Sequence, residues 1–240
     1  MTKIAVVTGA AGGMGRAIVA RLRTDGCHVV GLDVAADGLA EMAQDGFTGM
    51  TVDLLSVDAI LAAFDQIETQ HGGVDILVNN AGTCFMSDFP DIPADEFDLQ
   101  MALNFSAAFN CCQAAIKLMK GRDGVRKIVN ISSNGAYNFD VFDPPHYRAS
   151  KAALDNLTKD LARRYATDKI AVNSIAPAMT ETPLFGVLTE DVLAKAVAAM
   201  PHGRAMQPEE IAAWVGFLVS PAGDVSSGNV IILNQGRDVR

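Results

Sequence analysis

The stretch Lys3-Ile4-Ala5-Val6-Val7-Thr8-Gly9-Ala10-Ala11-Gly12-Gly13-Met14-Gly15-Arg16-Ala17-Ile18-Val19-Ala20-Arg21-Leu22 decides how the rest of the chain is read. Residues 3–7 are an apolar run with the length of a buried strand, residues 8–15 carry four glycines, and residues 16–22 have the pattern of an amphipathic helix. Strand, glycine turn and helix follow one another without a spacer. The glycines allow a tight turn and close approach of another backbone, and the helix start offers unpaired N–H groups and a positive dipole end that suit a pyrophosphate. A glycine turn can also be purely structural; its place between an apolar strand and a helix is what points to a dinucleotide.

Outward from there the same alternation continues. A second strand, residues 28–32, ends at Asp33, 18 residues after Gly15. A carboxylate at that point accepts hydrogen bonds from a ribose 2′-OH and repels a 2′-phosphate, which favours NAD over NADP; the competing reading is an N-cap for a helix from about residue 35, and the two roles are compatible. A third strand over 48–52 leads to Asp53-Leu54, and Ser56 caps a helix running to about residue 70. A fourth strand over 74–78 runs into Asn79-Asn80-Ala81-Gly82, where adjacent asparagines can bridge neighbouring turns. Strands over 127–131, 170–175 and 230–233, with helical stretches over 95–120, 147–166 and 208–219, complete the series. Such alternation predicts an α/β fold: a Rossmann-type, doubly wound parallel sheet of about seven strands with helices on both faces. One domain over residues 1–240 is expected, with ligands at the carboxyl ends of the strands.

Composition agrees. Half of the 240 residues are apolar and 20% are charged, as in a globular protein with buried parallel strands. A net charge of −9 argues against nucleic acid or an anionic membrane as the main partner. No apolar run reaches the ~18 residues of a membrane span and no signal peptide is recognised, so a cytoplasmic protein is expected. Cys27, Cys84, Cys111 and Cys112 lack CxxC spacing and read as reduced core residues. His28, His71, His146 and His202 are scattered, so no metal site is expected; His146 draws notice because Tyr147 follows it.

Tyr147-Arg148-Ala149-Ser150-Lys151 sets a phenol and an amine on one face of a helix, four residues apart. A phenol titrates near pH ~10, and a neighbouring ammonium favours its anion, so the pair has the ingredients of an acid/base centre at neutral pH. A solvated helix pair is the alternative.

Taken together these motifs resemble those of the short-chain dehydrogenase/reductase family, over essentially the whole chain. The family's glycine pattern TGxxxGxG corresponds to Thr8, Gly9, Gly13 and Gly15, its adenine-site acid to Asp53, and its NNAG motif to residues 79–82. Members that use NADP often carry a basic residue at the position of Gly12. The resemblance implies a cofactor site made by Gly9, Gly12, Gly13, Met14, Gly15, Asp33, Asp53, Leu54, Asn80, Ala81, Gly82, Tyr147, Lys151, Pro177, Thr180 and Thr182. It also implies a catalytic set of Asn104, Ser133, Tyr147 and Lys151. In that set Tyr147 is the acid/base, and Lys151 lowers the phenol's pKa and holds the nicotinamide ribose. Ser133 polarises the substrate oxygen, and Asn104 keeps a water relay; an Asn solvated or back-bonded in its helix is the plainer reading.

Three departures from the family pattern stand out. Ser133 to Tyr147 is one residue longer than usual, so strict counting would put Asn134 in the serine position; an insertion in 135–146 keeps Ser133. Ala178 stands where the family has glycine, which should restrict that turn. Asn234-Gln235-Gly236 replaces Asp-Gly-Gly, expected to touch subunit packing or the pocket rim. The implied activity is NAD-dependent interconversion of a secondary alcohol and a ketone, with a substrate lid at about 183–202 and a homotetramer as the common assembly. The alternatives are an NADPH-dependent 3-oxoacyl reductase and a dinucleotide-sensing binding protein. Phe85, Met86, Phe139, Phe142 and Phe185 point to an apolar or cyclic alcohol, or are simply core.

Overall fold

In the computed structural model, which describes residues 2–139 and 143–238, seven strands form one all-parallel sheet in the order β3-β2-β1-β4-β5-β6-β7. They are β1 (Ile4–Thr8), β2 (His28–Asp33), β3 (Phe47–Thr51), β4 (Ile76–Asn79), β5 (Arg126–Ile131), β6 (Ile170–Pro177) and β7 (Val230–Leu233). The central strands are apolar almost without interruption because helices cover both faces. Alternate side chains divide between two cores. Val6, Leu77, Ile128 and Val172 pack on one side against α3 (Val57–His71), α5 (Ala107–Met119) and α6 (Pro145–Arg164). Val7, Ile76, Val78, Val129 and Ile175 pack on the other against α1 (Gly13–Thr24) and α8 (Pro208–Val219). Strand order reverses direction between β1 and β4, so their carboxyl ends diverge and leave a crevice there.

Local chemistry accounts for most boundaries. Ser56 accepts from the Ala59 amide at 3.2 Å to start α3, and Gly72, at φ 76°, ends it. Gln207 and Glu210 form a capping box on α8, with Pro208 in the first turn. The short α2 (Ala36–Glu41) begins after Ala35 with no side-chain cap, so Asp33 is not its N-cap; its Oδ1 instead accepts from the Ala35 amide at 3.0 Å in a local turn.

The helix expected over 95–120 is divided. Its parts are α4 (Ala94–Met101), a π-helical turn at Ala102–Ser106, and α5. The break in the helical pattern at Leu103-Asn104-Phe105 falls inside this turn, where one extra residue shifts the helix face. The segment expected as a lid holds a 3₁₀ turn, Pro183–Val187, and α7 (Glu190–Ala198), capped by Thr189. Ala178 needs no glycine-like conformation: it is not among the positive-φ residues, and its amide donates to Leu233 at 2.8 Å. All four cysteines are buried and free, and no metal-ligating cluster occurs among the described residues. No described helix is long and apolar enough to cross a membrane.

Leu77 is fully buried in the middle of β4. Leu77→Ala should therefore lower the unfolding free energy by about 2–5 kcal/mol, read as a lower urea midpoint with an unchanged slope.

Candidate active site

The glycine turn meets the end of β4 backbone to backbone. Gly9 has φ +63°, and a Cβ there would lie 2.9 Å from Ala81 Cα; on Gly15 it would collide with the Gly9 carbonyl. Asn80 fastens the contact: its Nδ2 donates to the carbonyls of Thr8 and Gly9, both at 3.0 Å, while the amides of Asn80 and Ala81 donate to Thr8 Oγ1 at 3.0 Å. The bridging expected of the asparagines is thus a lock between β1 and β4. Beneath it Asn79 donates to Asn130 and Asn130 to Thr158, each at 2.8 Å, carrying the lock across β5 to α6.

Below the carboxyl ends of β1, β2 and β4 lies a cleft of ≈ 430 Å³. Of the expected cofactor residues, Gly9, Gly12, Gly13, Met14, Gly15, Asp33, Asp53, Leu54, Asn80, Ala81, Gly82 and Thr182 line it. Val34, Val52, Leu55 and Leu103 add apolar wall that sequence reasoning did not single out. Asp33 Oδ2 accepts from the Ala11 amide at 2.9 Å, tying the carboxylate to the glycine turn. A Cβ on Gly12 would meet nothing nearer than 3.5 Å, whereas one on Gly13 would press on Pro183 at 2.9 Å. The turn is therefore open at Gly12 and closed against Thr182 and Pro183 at Gly13.

A second cavity of ≈ 140 Å³ adjoins the first, and Met14 and Thr182 belong to both walls. Ser133, Tyr147, Pro177 and Thr180 line this cavity, with Cys84, Met86, Met179, Phe185 and Leu188 as its apolar surface and Asp143 and Arg237 as its charged residues. Pro177 and Thr180 therefore face the second cavity rather than the cleft. Phe85 and Phe139 line neither, Phe139 being largely exposed, and Phe142 lies outside the described residues.

Tyr147 is hydrogen-bonded to the Ser133 hydroxyl, and Ser133 Oγ accepts from the Gly135 amide at 3.0 Å. Asn134 also lines the cavity, but its amide donates to Asp238 at 2.9 Å, so of the two residues left open by counting it is Ser133 that is hydrogen-bonded to the phenol. Lys151 Nζ lies 6.0 Å from the Tyr147 ring centroid and donates to the Ile131 carbonyl at 2.9 Å. Asn104 sits in the π-helical turn. Its Oδ1 accepts from the Thr83 amide at 2.8 Å, and its Nδ2 donates to the Thr83 carbonyl at 2.9 Å and to Ser150 Oγ at 3.1 Å. It is thus neither solvated nor back-bonded. A Cβ on Gly82 would lie 3.1 Å from Asn104 Oδ1 and 3.3 Å from Lys151 Nζ, so only the missing side chain lets these groups come so close.

Electrostatics modify the expectation for the phenol. Burial pushes Tyr147 well above its ordinary value, Asp143 and Cys84 push the same way, and only the Ser133 hydrogen bond opposes them. Burial also draws Lys151 down to about 8, against the pull of Asp155. The expectation that Lys151 lowers the phenol's pKa is therefore not met in the protein alone, because desolvation penalises both charged forms. Asp155, one helical turn beyond Lys151, is the partner the sequence reading missed. It is buried, and accepts from Ser132 at 2.9 Å and Ser174 at 2.6 Å. Its i+4 spacing from Lys151 was the available signal. His146 packs against Glu96 (3.1 Å) and joins α6 to α4.

A glycine-turn cleft that shares a wall with a cavity lined by a phenol and a hydroxyl, with an amine one helical turn from the phenol, defines the class of Rossmann-type oxidoreductases. The family model described as enoyl-(acyl carrier protein) reductase matches residues 9–238. The 3alpha-hydroxysteroid dehydrogenase of Mediterraneibacter gnavus is 35% identical over 95% of this chain and 94% of its own. The cis-4-hydroxycyclohexanecarboxylate dehydrogenase of Sinomonas cyclohexanicum is 35% identical over 98% and 96%. The crystal structure of 3-ketoacyl-(acyl-carrier-protein) reductase from Brucella melitensis complexed with NADH superposes with a TM-score of 0.92 at 28% identity, covering 99% and 98% of the two chains. The chain belongs to the short-chain dehydrogenase/reductase family, oxidoreductases that use a nicotinamide dinucleotide.

The shift of Lys151 gives a test. Between about 8 and ~10.4 the unfolded chain holds this proton and the folded one does not, so stability due to this group rises with pH across that window. Thermal unfolding of wild type and Lys151→Met, compared from pH 7 to 10.5, should show the difference moving in favour of wild type by on the order of 3 kcal/mol. A pH-independent difference would contradict the shift.

Proposed function

We propose that this protein is an NAD-dependent dehydrogenase that interconverts a secondary alcohol and a ketone by hydride transfer. The observation that carries this is that Ser133 and Tyr147, hydrogen-bonded to each other, line a cavity whose wall, at Met14 and Thr182, is also the wall of the neighbouring glycine-turn cleft, with the buried Lys151 one helical turn from the phenol. A substrate in the cavity would lie against a nicotinamide in the cleft. When bound, NAD supplies the hydride acceptor and a positive charge beside the phenol.

The protein's groups supply the remainder. Ser133 hydrogen-bonds the carbinol oxygen and holds it at the phenol. Tyr147 in its anionic form takes the hydroxyl proton as the C–H hydride leaves, and returns it in the reverse direction. Lys151, fixed by the Ile131 carbonyl, passes that proton toward a water held by the Asn104 and Gly82 region. The high intrinsic pKa of Tyr147 makes the phenol a proton donor by default. Alcohol oxidation then depends on positive charge arriving with the cofactor.

Preference for NAD rests on Asp33. Each of its oxygens accepts one amide hydrogen bond, from Ala11 or Ala35, which leaves lone pairs for a ribose diol and a negative charge facing any 2′-phosphate. Gly12 offers no cation in compensation. An NADPH-dependent 3-oxoacyl reductase is the second reading, favoured by the likeness to a ketoacyl reductase, although that structure itself was solved with NADH. A cytoplasmic homotetramer accompanies the first reading. Two separate apolar faces support self-association, one with Phe97, Leu99 and Phe109 on α4 and α5, the other with Trp214 and Phe217 on α8. The segment 183–202, part of both cavity walls, is proposed as the lid.

Tyr147→Phe should lose turnover by at least about 10²-fold while its NADH dissociation constant stays within about twofold of wild type; full activity would sink the acid/base assignment, and a dinucleotide sensor would show no turnover in either protein. Fluorescence titration should give tighter NADH than NADPH in wild type, with the ratio collapsing in Asp33→Ala. NADPH preference in wild type would move the 3-oxoacyl reductase reading to first place.

A further inference from the structure

The substrate cavity contains a cation whose placement the reaction above does not require. Residues 234–238 form a closed turn. The Arg237 amide donates to the Asn234 carbonyl at 3.0 Å, Asn234 Nδ2 donates to the Asp238 carbonyl at 2.9 Å, and Gln235 and Gly236 both have positive φ. This turn is fastened to the loop after β5: Asp238 Oδ2 accepts from Asn134 at 2.9 Å and Asn138 at 2.6 Å, both asparagines being buried. Gln235 adds a second anchor, accepting from the His202 amide at 2.9 Å and donating to the Arg204 carbonyl at 3.2 Å. The result holds Arg237 in the cavity wall among Cys84, Met86, Phe185 and Leu188.

Among the described residues the Arg237 guanidinium makes no hydrogen bond or ion pair. A guanidinium is a fork of donors matched to a carboxylate, and on an apolar wall it attracts one more strongly than in water. Asp143, the other charged lining residue, feels Arg237 without touching it and acts in turn on Tyr147. A Cβ on Gly135 would run into the Asp143 carboxylate and lie 3.2 Å from Ser133 Oγ, so Asp143 stands at the reacting end, whereas Arg237 acts on Asp143 and is not among the groups that act on Tyr147. Burial raises the Asp143 carboxyl, while Arg148 and Arg237 pull it the other way.

We propose that Arg237, held by the Asp238 clamp, is a specificity-determining residue that binds a substrate carboxylate remote from the carbinol. The substrate is then a free hydroxy acid or keto acid, not a thioester or a neutral alcohol. This rests on the dehydrogenase reading above for what happens to the carbinol, but the anion subsite can be tested without turnover.

Cyclohexanecarboxylate and cyclohexanecarboxamide, a matched pair differing in charge, would be titrated calorimetrically into the full-length protein with and without saturating NADH. Wild type should bind the carboxylate at least about tenfold more tightly. Arg237→Met should make the two equal, and Arg237→Lys, which keeps charge but loses the fork, should fall between. Equal binding by wild type, or a preference that survives in Arg237→Met, would overturn the proposal even if neutral secondary alcohols are oxidised. A preference that depends on Arg237 in a protein that oxidises no hydroxy acid would uphold the subsite and sink the dehydrogenase reading.

Discussion

The contact on which the rest depends is the approach of Gly9 to Ala81 at the point where the sheet reverses direction. With the Ala81 backbone 2.9 Å from where a Cβ would sit, the first glycine turn and the end of β4 can share one wall only if Gly9 has no side chain. The hydrogen bonds of Thr8 and Asn80 then make that wall rigid. Because the wall belongs to the dinucleotide cleft, and because Asn79, Asn130 and Thr158 extend the same lock to α6, the helix that carries Tyr147 and Lys151 is registered against the glycine turn through buried polar groups. Such networks are unforgiving when broken, which is what a site needs if its parts come from distant stretches of chain.

Polar burial governs the chemistry as well. Tyr147 and Lys151 are each pushed toward their neutral forms, the phenol upward and the amine down to about 8. A phenol that keeps its proton is a poor base, and under the proposed mechanism it is positive charge arriving in the neighbouring cleft that activates it. Asp155 limits how far the amine falls. Its carboxylate, held by Ser132 and Ser174, preserves part of the lysine's affinity for a proton. The helix thus carries a phenol, an amine and a carboxylate at successive turns, and the carboxylate tempers the amine.

Much of this was legible in the sequence. Strand–turn–helix alternation is a period-2 and period-3.6 signal repeated along the chain, and it gave the parallel sheet and the crevice; the family resemblance gave the cleft residues from Gly9 to Gly82 except Val34, Val52 and Leu55. What escaped has a physical reason. The interruption at Asn104 shows in the sequence as a break in the helical pattern, but the pattern does not show that it is a π-helical turn whose Asn104 pairs with Thr83, a residue 21 positions away. The pKa of Tyr147 depends on desolvation, which no local spacing encodes. Ala178 was read as a restriction because glycine is usual there, yet this turn keeps an ordinary backbone conformation.

The two remaining departures were read separately, as an insertion before Tyr147 and as a substituted turn after the last strand. In space they are one feature. The longer loop supplies Asn134 and Asn138, and the altered tail supplies the Asp238 that both asparagines reach. The two halves support each other: Asp238 accepts from both buried asparagines, and these bonds add to the Gln235 contacts with His202 and Arg204 in ordering the tail. Residues about a hundred positions apart, each close to a departure from the shared pattern, are thus joined by hydrogen bonds. In this chain the unit ends on the wall of the substrate cavity, the part of such a fold where members of a family differ in what they accept.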